Sequence, residues 1–290
     1  VPRLIIKNQF AYLLIATITL FVFTSLDRLL SGGSGGAAWA DIGGGLPFNH
    51  ITIDSDGPND MHIKATGDLN GDGYPDLIVA GSLIGEQVVW YQSPAWNKHT
   101  IAGSELGGWS TDAEVGDIDN DGDQDIVISS WYRADTGLEW FENTGEGLSW
   151  IRHVVGPPRA HDIELADFDL DGNLDIVTRQ QSGEGNKLEL WRQDTPTSWT
   201  HRTLSGVPEG EGLMVGDIDR DGDQDVIMGS IWYENPRDII NGVWIAHTYT
   251  TAWTDPEATA EVADINRDGR MDIVLAPAEV RGGTYKIAWY

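Results

Sequence analysis

The chain has 290 residues, 40% of them hydrophobic and 13 of them tryptophan, enough for the core of one large domain or two modest ones, so it reads as globular and not disordered. Its 46 acidic and 18 basic residues leave a formal charge of −28, which repels phosphate backbones and anionic lipid headgroups and argues against nucleic acid as a partner. With no cysteine, disulfides and thiolate metal sites are excluded, and any staple must be an oxygen-ligated metal.

In chain order, residues 1–30 come first. The run from Asn8 to Leu26 has no charge, Arg3 and Lys7 precede it, and Asp27 and Arg28 follow it. That is the length of one membrane-spanning helix. It also fits a secretory signal with a small-residue pattern at Ala38-Trp39-Ala40. A third reading packs identical helices in the core of a polymer. The expectation is therefore a hydrophobic helix over 1–30 serving as membrane anchor, signal or filament core. A flexible Gly/Ser-rich linker follows over 31–45, opened by SGGSGG.

The remaining residues, 46–290, repeat. GDLNGDGYPD, GDIDNDGDQD, ADFDLDGNLD, GDIDRDGDQD and ADINRDGRMD have their first aspartates at Asp68, Asp117, Asp167, Asp217 and Asp264, which stand 49, 50, 50 and 47 residues apart. In each unit an alternating run enters the acidic loop and an apolar run such as DIVISS leaves it. An aromatic segment and then a run with an aromatic and a histidine follow. Those are four short strands separated by turn residues. The fifth unit lacks its fourth strand, and FNHITI at 48–53 has the look of one. The pattern predicts an all-β, five-bladed β-propeller of four-stranded blades, closed by that amino-terminal strand. A right-handed stack of repeats is the other architecture, but it needs distinct caps.

In D-x-[DN]-x-D-G-x-x-D, side chains at positions 1, 3, 5 and 9 and the carbonyl of position 7 can surround one ion while the glycine makes the turn. Calcium suits such a shell of hard oxygens, with ligands at about 2.3–2.6 Å. Position 12, where the helix-loop-helix calcium motif carries glutamate, is Val79, Ile128, Thr178, Met228 and Leu275. Over about residues 46–290 these units resemble the FG-GAP or VCBS repeats of integrin-like propellers, although the FG and GAP signatures are mostly absent. The resemblance implies about five Ca2+ sites. Their ligands would be Asp68, Asn70, Asp72, Tyr74 and Asp76; Asp117, Asp119, Asp121, Asp123 and Asp125; and Asp167, Asp169, Asp171, Asn173 and Asp175. The last two loops would use Asp217, Asp219, Asp221, Asp223 and Asp225, then Asp264, Asn266, Asp268, Arg270 and Asp272. Tyr74 and Arg270 would offer only a carbonyl, and the fifth loop, beside Arg267 and Arg270, is expected to be the weakest.

Catalytic signals are sparse. Glu114, Glu164 and Glu261 occupy equivalent positions before three loops, where Ala65 and Met214 stand in the other two units. On innermost strands they would face the central channel, where paired carboxylates can act as acid and base on a glycosidic bond. The loops opposite the calcium turns hold Trp109, Trp131, Tyr132, Arg133, Arg159, His161, Asp162, Arg179, Trp253 and Arg281, residue types that suit sugar rings or a protein partner. His50, His99, His153, His201 and His247 recur with the repeat and read as structural. No nucleophile motif or phosphate loop is present. The expected function is an exported, non-enzymatic surface module, extracellular or on the cell surface, that adheres or self-assembles through its amino-terminal helix or sits in a membrane. The rival is a secreted carbohydrate-active enzyme using the channel carboxylates.

Overall fold

The computed structural model describes residues 50–290 except 104–107, 131–136, 158–159, 181–186, 209, 254–257 and 278–286. The expected helix over 1–30 and the linker over 31–45 lie outside the described residues. The first blade is β1 (Met61–Gly67), β2 (Asp76–Gly81), β3 (Val88–Gln92) and β4 (Asn97–Ala102), and the second is β5 (Trp109–Gly116), β6 (Asp125–Ser130), β7 (Leu138–Asn143) and β8 (Trp150–Gly156). The third is β9 (Asp162–Ala166), β10 (Asp175–Arg179), β11 (Lys187–Thr195) and β12 (Ser198–Ser205), and the fourth is β13 (Met214–Gly216), β14 (Asp225–Met228), β15 (Ile231–Glu234) and β16 (Ile245–Thr248). In the fifth, β17 (Ala258–Ala263), β18 (Asp272–Pro277) and β19 (Ala288–Trp289) make a three-stranded sheet. Every pairing is between sequential antiparallel strands, and β1, β5, β9, β13 and β17 contact one another in that order as the inner strands of a five-bladed propeller.

The strand sequences follow from this layering. All six residues of β6 are buried because both faces of the sheet are covered, whereas β12 alternates between half-buried and exposed positions as an outer strand. The core lies between blades. Ile78, Val88 and Trp90 meet Ala113, Ile126 and Phe141, and Val127 and Trp140 meet Ile163, Ile176 and Trp191. Val177 and Leu190 meet Val226 and Met228, and Ile227 and Trp232 meet Ala258 and Ile273.

Four of the five recurring histidines have one role. His99, His153, His201 and His247 lie directly across from Trp90, Trp140, Trp191 and Trp232 and stack on them, with ring centroids 4.5, 4.4, 4.0 and 4.3 Å apart.

The fifth blade departs from expectation. Residues 50–53 carry no strand, so the closing strand is not formed among the described residues; Phe48 and Asn49 lie outside them. The physical reason is a competing site. Ile53 packs on Val79, Val89 and Tyr91 of the first blade, and Asp54 accepts hydrogen bonds from Tyr91 Oη at 2.8 Å and Lys98 Nζ at 3.0 Å. Ile287 and Trp289 of the last blade are accordingly 77% and 57% exposed.

Candidate metal centres and the acidic inner strands

Each acidic loop joins the first two strands of a blade, and its shape is set by backbone hydrogen bonds to its own side chains. The glycine at position 6 has φ between 83° and 105° in Gly73, Gly122, Gly172, Gly222 and Gly269, a conformation other residues rarely adopt. In all five loops the N–H of position 5 donates to the side-chain oxygen of position 3, at 2.8–3.3 Å. The aspartate at position 9 is buried in every loop, and one of its oxygens accepts the N–H of position 2, as in Phe168 N to Asp175 Oδ2 at 3.2 Å. In four blades the other oxygen accepts an N–H from just past the third strand or its end: Ser93, Asn143, Gln193 or Asn235.

The residues present fit a hard divalent cation. Carboxylate oxygens converge within 4.8 Å of one another in Asp117, Asp119 and Asp125, in Asp167, Asp169 and Asp171, and in Asp217, Asp219 and Asp225. Asp117 Oδ1 and Asp217 Oδ1 are buried with no hydrogen-bond partner, an arrangement that is unfavourable unless a cation faces them. Burial first, and then the neighbouring loop carboxylates, push Asp125 up to about 7 and Asp175 up to about 8. In the first and fifth loops, position 3 is the amide of Asn70 or Asn266, whose Nδ2 donates to Asp72 or Asp272, so fewer carboxylates converge there. At position 7, Tyr74, Asp123 and Arg270 are exposed, whereas Asp223 is buried.

Sequence reasoning missed the amides that brace these loops. Asn143 Nδ2 donates to Leu69 O of the preceding loop and to Gln124 O of its own. Gln193 Nε2 does the same with Ile118 O and Leu174 O, and Asn235 Nδ2 with Phe168 O and Gln224 O. Only the amide that ends each aromatic segment (WFEN, LWRQ, WYEN) marks them in the sequence.

On the inner strands, Glu114, Glu164 and Glu261 are in equivalent register, opposite Val127, Val177 and Val274. Two residues earlier, Asp112 Oδ2 accepts the N–H of Ile163 at 2.9 Å and Asp162 Oδ2 accepts that of Gly212 at 3.1 Å, so each aspartate ties its blade to the next. Gly212 is required there, since a Cβ would lie 1.8 Å from Ala258 O. Among the described residues the glutamates have no such ties. Withdrawal from water, then the charge of Asp112, pushes Glu114 up to about 8. Withdrawal from water, then Glu114, Asp112, Asp162 and Glu261, raises Glu164 well above the ordinary carboxylate range. Because the folded state favours the protonated form, this contribution is fully present below the ordinary glutamate pKa and is lost as pH rises towards about 8. Glu114→Gln is expected to stabilise the fold by about 1–3 kcal/mol at pH 8 and to leave it unchanged at pH 4. Urea melts at the two pH values check this, and equal effects at both would contradict it.

The profile described as FG-GAP-like repeat matches residues 68–128 and 167–228. Each stretch begins on the first aspartate of a loop and ends in the second strand of the next blade, so the two include the first four loops in register. Over these residues the chain carries FG-GAP-like repeats. No curated protein matches it. Among solved structures, the propeller is similar to rhamnogalacturonan lyase YesW, 14% identical with TM-score 0.50 over 80% of this chain and 49% of that one. It is also similar to the exotype rhamnogalacturonan lyase YesX, 15% identical with TM-score 0.50 over 79% and 47%. A third, the V. cholerae biofilm matrix protein Bap1, is 17% identical with TM-score 0.44 over 80% and 37%. The chain spans about half or less of these structures, and its likeness to the two lyases is one of fold.

Of the ten residues expected to form a ligand surface, five are described. Trp131, Tyr132, Arg133, Arg159 and Arg281 lie outside the described residues. Trp109 is fully buried in one cluster with Ile78 and Val88 of the first blade and Phe141 of its own, and Trp253 packs with Ala258 and Ile273, so both are inter-blade core and their assignment as ligand contacts is corrected. Arg179 is corrected likewise: it is 4% exposed and its guanidinium donates to Gly212 O and Pro208 O. His161 and Asp162 do come together, with Nδ1 and Oδ1 3.0 Å apart, and Glu211 lies 3.8 Å from His161 Nε2. Burial pulls the His161 pKa down, but the bond to Asp162 and the charges of Asp162, Glu211 and Asp112 outweigh it and leave the pKa raised.

Proposed function

We propose that the chain is an exported, calcium-stabilised propeller acting as a non-enzymatic surface or structural module. In this reading residues 1–30 hold it in a membrane or in the core of an extracellular filament, and it meets a glycan or protein through the face that bears His161 and Asp162. The observation that carries the reading is the repeated loop, with converging carboxylates in three copies and buried, unpartnered oxygens in two. An all-oxygen donor set of carboxylates and carbonyls favours calcium over softer-ligand metals, and extracellular calcium modules work at about 10⁻⁴–10⁻³ M, which supports export. Electron microscopy of the full chain, prepared in millimolar calcium without detergent, tests it. Regular polymers support the filament, and recovery only in detergent supports the membrane. Monodisperse monomers without detergent would count against both.

A second reading, a carbohydrate-active enzyme, is favoured by one observation, the partly buried Glu114 and Glu164, both with raised proton affinity, to which burial contributes first and then Asp112 for Glu114 and Glu114 for Glu164. Polysaccharide turnover that is lost in Glu164→Gln at unchanged melting temperature would establish it, whereas no turnover across a broad glycan panel leaves the binding module.

A further inference from the structure

Residues 117–125 and 217–225 have the same sequence except for Asn120 in one and Arg220 in the other, so the second and fourth loops are near-controls for each other. Both bring their first, third and ninth aspartates together, and both leave Oδ1 of the first buried without a partner. They differ at the seventh residue. Asp123 is exposed, whereas Asp223 is 1% exposed.

The cause lies in another part of the blade. After the bracing amide, the second blade continues Thr144-Gly145-Glu146 and the fourth Pro236-Arg237-Asp238. Arg237 turns back on the loop with φ 61°. Its Nε donates to Asp223 Oδ2 at 2.9 Å, and its Nη2 donates to the carbonyl of Asp221 at 3.0 Å and lies 4.0 Å from Asp221 Oδ2. The second blade has no basic residue anywhere in the corresponding turn, residues 143–149.

We propose that Arg237 is a tethered counter-cation that lowers the calcium affinity of the fourth loop below that of the second, so that two sites with one ligand set fill at different calcium concentrations. The inference rests on the calcium reading above. Charge count and rigidity together set affinity in loops of this kind. On charge, the second loop has five carboxylates and no cation, and the fourth has five carboxylates with Arg237 on them and Arg220 at the rim. On rigidity the fourth loop gains little. Position 7 would offer its carbonyl, and both loops already orient that residue by the same bond, Asp123 N to Asp121 Oδ1 at 2.9 Å and Asp223 N to Asp221 Oδ1 at 3.2 Å. Charge therefore decides the sign. The Arg237 side chain is 54% exposed, so solvent and salt trim the effect to about tenfold in dissociation constant.

Calorimetric titration of the chelator-treated full chain with calcium chloride tests this. Asp117→Asn is expected to remove a tighter class of site, and Asp217→Asn a class about tenfold weaker. Arg237→Gln should tighten the weaker class by about tenfold, whereas Arg237→Lys, which keeps the charge and loses the fork, should leave it weak. Equal affinities in the two aspartate variants, or an Arg237→Gln chain whose fourth site is unchanged or weaker, would overturn the inference and leave the calcium reading standing. A wild-type chain that takes up no calcium would overturn both.

Discussion

Removing calcium with a chelator is expected to lower the melting temperature by at least about 10 °C, and restoring millimolar calcium should recover it. Ion held at a hundred times its dissociation constant stabilises a native state by about 2.7 kcal/mol per site. Each kcal/mol moves the melting point of a domain of this size by about 2–4 °C. Three loops with converging carboxylates therefore suffice. The chain's net charge of −28 adds to the effect, because the ions remove repulsion that the apo fold retains. Without calcium, sodium chloride should recover part of the loss by screening. A melting curve indifferent to chelator would end the calcium assignment.

The second large effect separates two aspartates of one loop. Asp175→Ala is expected to cost about 3–5 kcal/mol with or without calcium, and Asp171→Ala to cost less than about 1 kcal/mol in chelator. Asp175 is 1% exposed and accepts the N–H groups of Phe168 and Gln193, so its loss strands two donors and loosens the amide that Gln193 extends to Ile118. Asp171 is exposed, and among the described residues its carboxylate accepts only the backbone and side-chain amides of Asn173. Denaturant melts of both variants in calcium and in chelator decide this. Equal costs in chelator would show that position 9 is not a brace.

The loops were legible because the groups that turn them lie within ten consecutive residues: the glycine at position 6, the oxygen at position 3 and the aspartate at position 9. The register of Glu114, Glu164 and Glu261 was legible for the same reason, being a fixed step from each loop. What was not legible depends on partners far along the chain. Asn143 meets Leu69 across 74 residues and Asn235 meets Phe168 across 67, so nothing adjacent in sequence reveals them. Trp109, Trp253 and Arg179 have the composition of a binding surface, but a neighbouring blade covers them, and a single unit cannot disclose its neighbour. Among the described residues the expected closing strand is not formed, since Ile53 and Asp54 find apolar and hydrogen-bonding partners on the first blade. Arg237 was not legible because it sits in a turn of the fourth blade, 14 residues from the Asp223 that it meets.

The bracing amides all reach backwards, from Asn143 to the first loop, from Gln193 to the second and from Asn235 to the third. A chain is made from its amino terminus, so each of these loops acquires its last hydrogen bond only when the following blade emerges from the ribosome. Assembly therefore has a direction: a nascent chain halted after any of the first three blades holds one unfinished loop, always the newest, and the earlier ones are already locked.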